Sequence, residues 1–111
     1  MLETIRSSDE ISSLFTSGQR IQTANITLIV RNTEHGREGR VAFIAGKKLG
    51  NAVWRNAAKR RMREVCHQTH FQLTGYDVIF LAKRRILEAS YSKVVNDCER
   101  VLKRFENGDI I

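Results

Sequence analysis

"KKLGNAVWRNAAKRRMRE", residues 47–64, holds seven cations and no acid before Glu64. The cations are Lys47, Lys48, Arg55, Lys59, Arg60, Arg61 and Arg63. The chain of 111 residues has 19 Lys and Arg against 12 Asp and Glu, a net charge of +7. With those seven set aside, 12 cations face 12 acids. The excess is therefore one patch on an otherwise balanced chain. Charge concentrated in this way points to a polyanion, either nucleic acid or an anionic membrane surface.

The spacing inside the stretch predicts a helix. Gly50-Asn51 supplies a turn and an N-cap, and the helix should run to about Gln68. At about 100° per residue, Trp54, Ala58, Met62, Val65 and Cys66 share an apolar stripe. Arg55, Asn56, Lys59, Arg60, Arg63 and His67 share the other side, with Lys47 and Lys48 just ahead of the helix. Arg61 falls at the border of the apolar stripe. A merely solvated face usually mixes signs, because like charges at i, i+4 repel by about 0.2–0.5 kcal/mol. Arg55/Lys59 and Lys59/Arg63 have no acid between them to relieve that repulsion. Counterion release on binding phosphate repays such an arrangement, and guanidinium forks suit bidentate phosphate contact.

Outward from this helix the pattern is mixed. Ser8 can cap a short helix in which Ile11, Leu14 and Phe15 recur at i, i+3 and i+4, with Gly18 as its stop. Residues 21–30, IQTANITLIV, read as one strand, and residues 41–45, VAFIA, as a second. The polar stretch NTEHGREGR between them predicts a hairpin. Residues 76–82, YDVIFLA, form a third strand, buried because its apolar run is continuous. Tyr91, Val94, Val95, Cys98, Val101, Leu102 and Phe105 make the core-facing stripe of a last helix, capped by Ser90 and ended by Asn107-Gly108. The expected architecture is a single α+β domain over residues 1–111: an α-β sandwich with a three- to four-stranded sheet packed by helices.

Other function classes lose ground on the same residues. The longest uncharged apolar run, Val78–Ala82, is far short of the roughly 20 residues a spanning helix needs. The segment MLETIRSSDE shows no secretory signal, and a cytoplasmic location is expected. Cys66 and Cys98 lack metal-ligand spacing and read as buried, reduced thiols. Cys66, His67 and His70 form a C-H-x-x-H group without a fourth ligand, a weak zinc signal. His67 and His70 lie side by side one turn apart, and so do not flank a scissile phosphate as a general acid and base would. Glycine-rich phosphate loops, nucleophile elbows and close acidic pairs are missing. The reading therefore assigns the chain no catalytic residue, no metal ligand and no cofactor of its own.

With a strand before and a strand after it, GKKLGNAVWRNAAKRRMRE resembles the signature of the bacterial ribonuclease P protein subunit. That family carries a strand ending in Lys-Lys, then Gly-Asn-Ala-Val, then Arg-Asn followed by Lys-Arg and Arg-Glu. The likeness extends from SSDEISSLFTSGQRI to the helix ending at Phe105. It implies a sandwich with a left-handed βαβ crossover, against the usual right-handed rule. It also implies a protein that joins a catalytic RNA to remove the 5′ leader of precursor tRNA, with Mg²⁺ required by the RNA and no protein partner needed. The RNA-binding residues it implies are Lys47, Lys48, Asn51, Arg55, Asn56, Lys59, Arg60 and Arg63. A leader-binding cleft between the first helix and the sheet would include Phe15, Thr27 and Ile29, although Phe15 fits an ordinary core stripe equally well. The chain departs from the family pattern at Ala57, where Arg is typical, at Arg61, where an apolar residue is usual, and in its net acidic N-terminus.

The competing reading is a ribosome-associated or other structured-RNA-binding protein with the same sandwich and no role in cleavage. A DNA-reading helix-turn-helix is disfavoured because the basic helix follows a strand and not a partner helix. A membrane-surface helix is disfavoured because the stripe of Trp54, Ala58, Met62 and Val65 is too narrow.

Overall fold

The computed structural model describes residues 3–33, 39–71 and 75–108. The elements run β1 (Glu3–Thr4), α1 (Ser8–Ser17), β2 (Gln19–Gln22), β3 (Ile26–Asn32), β4 (Arg40–Ile44), α2 (Ala52–Gln68), β5 (Tyr76–Ala82) and α3 (Tyr91–Glu106). Short 3-10 turns occupy Lys47–Leu49 and Arg84–Leu87. The fold is mixed α+β, and the sheet order is β1-β4-β5-β3-β2. Its body is four strands, with the two-residue β1 added at the β4 edge.

Two strand assignments change. Residues 21–30 do not form one strand: β2 and β3 are an antiparallel hairpin that turns at Thr23-Ala24-Asn25. The Thr23 hydroxyl donates to the Ile26 carbonyl at 2.7 Å and accepts from the Ile26 amide at 3.0 Å. Such side-chain closure makes a turn without glycine or proline, which the β-branched sequence conceals. The predicted hairpin between residues 21–30 and 41–45 is also absent. Instead, β5 lies between β3 and β4, antiparallel to the first and parallel to the second. Its continuous apolar run is what a strand covered on both faces requires. Residues 34–38 of the expected polar turn lie outside the described residues.

Alternation along the strands sorts two cores. On one face Ile26, Leu28, Val30, Val41, Val78 and Phe80 pack with Met62 and Val65 of α2 and with Val94, Cys98 and Val101 of α3. On the other face Ile29, Ala42 and Ile79 pack beneath Leu14 of α1 and Ile5. The expected apolar stripes of α2 and α3 therefore do face the core.

Helix ends follow local chemistry. Ser7, not Ser8, caps α1, accepting the Glu10 amide. Gly18 closes that helix, its amide donating to the Leu14 carbonyl at 2.7 Å, and a Cβ there would lie 2.5 Å from Ile29 Cγ2. Ser90 caps α3 through the Lys93 amide at 3.2 Å, and Gly108, with φ of 77°, follows its end. A buried ion pair docks α1 on the sheet: Arg40 Nη2 donates to Asp77 Oδ2 at 3.0 Å and also to Glu10. Arg31 adds bonds to the Ser13 and Ser17 hydroxyls at 2.6 and 2.8 Å.

Candidate nucleic-acid interface

The basic stretch is presented by a β4–α2–β5 crossover, so its helix is clamped on the sheet at both ends. Asn51 caps α2, with its Oδ1 accepting the Trp54 amide at 2.9 Å. Gly50 is required by packing: a Cβ there would come within 2.9 Å of the Trp54 side chain. Ala58, Met62, Val65 and Cys66 are buried, and Trp54 is half-buried against them. This burial locks the rotation of α2 and decides which cations face outward.

Lys47, Lys48, Asn51, Asn56, Arg60 and Arg63 are exposed. Arg55 and Lys59, placed by the sequence reading on the open side, are half-buried at its margin. They sit there because the buried stripe extends round to Cys66. The Arg55 Nε is buried with no hydrogen-bond partner among the described residues, leaving only the far end of that side chain for an anion. Arg63 lies over the Phe43 ring at 5.6 Å, a cation–π contact that holds its stem. His67 is exposed and Cys66 is buried, so α2 turns one of these two potential ligands to solvent and the other to the core.

Three features escaped the sequence reading. Arg61 is structural: its Nη1 donates to the Ile86 carbonyl at 3.1 Å and the Ala89 carbonyl at 2.6 Å. Its place on the stripe border was the available sign. Val53 is 77% exposed and lies beside Asn56 and Arg60, adding an apolar spot to the polar row. Tyr91, read only as core, is half-buried and borders a groove of about 440 Å³ with Arg63, Glu64, His67 and Gln68.

At the other suggested site, Phe15 is half-buried at the rim of the α1 core, and the Arg20 guanidinium stands 5.7 Å from its ring centroid. Thr27 is buried and donates to Gln22 Oε1 at 2.9 Å. Ile29 is 0% exposed and forms floor beneath α1, with no surface to offer a ligand. Half-buried Ile44 and Leu81 pack against the same core and extend this face.

Comparison with known proteins converges on one family. A family model described as Ribonuclease P matches residues 2–106. The chain belongs to the ribonuclease P protein family. A Streptococcus pyogenes ribonuclease P protein component is 30% identical over 100 residues, covering 89% of this chain and 82% of that protein. The Staphylococcus aureus RNase P protein structure superposes with a TM-score of 0.76 at 24% identity, covering 93% of this chain and 94% of that one. The Thermotoga maritima RNase P protein gives 0.76 at 20% identity, covering 92% and 96%. These structures share the fold, and family membership carries RNA binding and tRNA processing with it. Among the described residues no helix is long and apolar enough to cross a membrane.

Proposed function

We propose that this chain is the protein subunit of a ribonuclease P holoenzyme. It binds the catalytic RNA through the outer row of α2 and the lysines ahead of it, and it holds the 5′ leader of precursor tRNA between α1 and the sheet. Cleavage is then the work of the RNA and its Mg²⁺, and the protein contributes affinity and electrostatics. One observation carries the reading. Lys47 and Lys48 on the turn ahead of α2, and Arg60 and Arg63 on α2, are exposed and, among the described residues, have no acidic partner. Their charge remains available to phosphate.

The leader reading rests on the half-buried Phe15 with Arg20 above it, an aromatic and a cation at one cleft. Thr27 and Ile29 support that cleft from below. Half-buried Arg55 and Lys59 contribute at the margin of the α2 row, and Asn51 acts through the cap that fixes where α2 begins.

The test is reconstitution. The protein, freed of nucleic acid, is combined with ribonuclease P RNA, and affinity is measured against KCl concentration for the parent and for Arg60→Ala/Arg63→Ala. The log–log slope should fall by about one unit for each lost phosphate contact, and leader removal at limiting protein should fall with it. An unchanged slope in a folded variant overturns the assignment of this face. Co-purification of ribosomal fragments in place of one long structured RNA would favour the ribosome-associated alternative.

A further inference from the structure

The β2–β3 turn and one face of α3 enclose a groove of about 460 Å³, which shares no residue with the α2 row. Lys93, Asp97, Arg100 and Arg104 line it at i, i+4, i+7 and i+11, one face of the helix. A smaller recess of about 260 Å³ meets it at Ala24 and Lys93 and adds Asn25 and Arg85, with Glu88 at its side. Interspersed acids hid this site in the sequence, because Glu88, Asp97 and Glu99 break up its run of cations.

Two polar atoms, one on a residue lining the groove and one on a residue lining the recess, are unmatched. Asn25 is 3% exposed and Asp97 is 7% exposed. Asn25 Nδ2 and Asp97 Oδ2 are buried without a hydrogen-bond partner, while Asp97 Oδ1 is taken by Arg100. A buried polar group left unsatisfied keeps its full desolvation cost. The turn that carries Asn25 is nevertheless firmly held. The Lys83 amide donates to the Asn25 carbonyl at 3.0 Å, and Lys83 Nζ donates to the Thr23 carbonyl at 2.5 Å. Asn25 thus stands on a firmly held turn and Asp97 on α3, each with one polar atom still to be matched.

We propose that this groove is a second RNA-binding site, which takes a ribonucleotide strand between the β2–β3 turn and α3. The surrounding cations require phosphate. The free Asp97 oxygen requires a neutral donor beside that phosphate, and Asn25 Nδ2 requires an acceptor. An inorganic anion meets the first requirement and is repelled by the Asp97 carboxylate. A DNA strand supplies phosphate and lacks the 2′-hydroxyl, which can donate to Asp97 and by which proteins tell RNA from DNA. A ribose–phosphate backbone meets all three.

The test uses the full chain carrying Arg60→Ala/Arg63→Ala, so that the α2 row is weakened. The probes are a single-stranded RNA octamer of mixed sequence, the DNA octamer of the same sequence, and inorganic phosphate. RNA should bind about fivefold more tightly than DNA, the worth of one hydrogen bond. Asp97→Ala should bring that ratio to about one. Lys93→Ala/Arg104→Ala should lower the salt slope for single-stranded RNA by about 1.4 units, about 0.7 for each lost phosphate contact. In the unaltered chain, the Asn25 side-chain amide resonances should shift on adding RNA and stay in place with phosphate. Equal affinity for RNA and DNA, an unchanged slope, or Asn25 resonances unmoved at RNA saturation would each overturn the proposal. The resonance measurement needs no variant to fold.

Discussion

Arg60 and Arg61 are neighbours in sequence, and the structure gives them opposite work. Arg60 is exposed in the outer row, and Arg61 is half-buried with its Nη1 on the carbonyls of Ile86 and Ala89. Arg61→Met keeps most of the side-chain stem and deletes the hydrogen bonds. Bonds from a charged group contribute about 1.5–3 kcal/mol, and partial exposure of Arg61 puts the loss near about 2 kcal/mol. For a chain of this size that lowers Tm by about 8 °C or more. Among the described residues Arg60→Ala removes no side-chain hydrogen bond or ion pair, and it should change stability by less than about 0.5 kcal/mol. The assay pairs urea and thermal melts of RNA-free protein with RNA affinity measured against KCl. Arg61→Met should melt early and keep the salt slope; Arg60→Ala should melt normally and lose about one unit of slope. A stable Arg61→Met with a flattened slope would make Arg61 an RNA contact and refute the division.

Three further outcomes follow from the same geometry. Ala57 is exposed on α2, so Ala57→Arg should restore a contact, steepening the RNA salt slope by about one unit with unchanged melting. Phe15→Ala should weaken holoenzyme binding of leader-bearing tRNA by about 1–3 kcal/mol if the ring stacks on a base. Binding of mature tRNA should hold; equal loss for both substrates would leave Phe15 as core. Burial pushes the Cys66 thiol up to about 11 and, with the nearby charges of Cys66, Asp97 and Glu99 adding to it, Cys98 up to about 12, from an ordinary 9.0. Their stabilising contribution is therefore full below the unfolded value and lost as pH rises through the folded ones. The stability gap between the parent and Cys66→Val/Cys98→Val should accordingly narrow between pH 9.0 and about 12, as read by urea melts. At pH 8, folded protein should resist thiol reagents, since reaction needs the thiolate.

Periodicity was legible wherever one face is buried. The stripe from Trp54 to Cys66 and that from Tyr91 to Phe105 located α2 and α3, because a helix burying one side must repeat near 3.6 residues. Asn51 and Ser90 were legible as caps because a short polar side chain is the commonest way to satisfy a first-turn amide. Strand pairing was not legible. Residues 21–30 are β-branched on both sides of a turn closed by a Thr23 side chain, and nothing in the alternation marks the break. That β5 inserts between β3 and β4 is a non-local fact, although its apolar run already indicated a strand without a solvent face.

The site was legible to the extent that charge alone can reveal it, and the remainder depends on partners. Arg31, Arg40, Arg61 and Lys83 look in sequence like any other cations. In the fold each is spent inside the protein: Arg31 on the Ser13 and Ser17 hydroxyls, Arg40 on Asp77 and Glu10, Arg61 and Lys83 on backbone carbonyls. Arg60 and Arg63, on the same helix as Arg61, are turned outward by the burial of Ala58, Met62 and Val65 on its other side. Substituting an internally satisfied cation leaves its partners unmatched and costs stability; substituting an outward one costs affinity for a polyanion. Glu10 shows the same logic from the acidic side. In sequence it makes the N-terminus acidic where the family is usually basic, yet in the fold it pairs with Arg40 and helps dock α1. That pairing takes one N-terminal acid out of the balance at the α1 cleft, where Arg20 stands as a cation over Phe15.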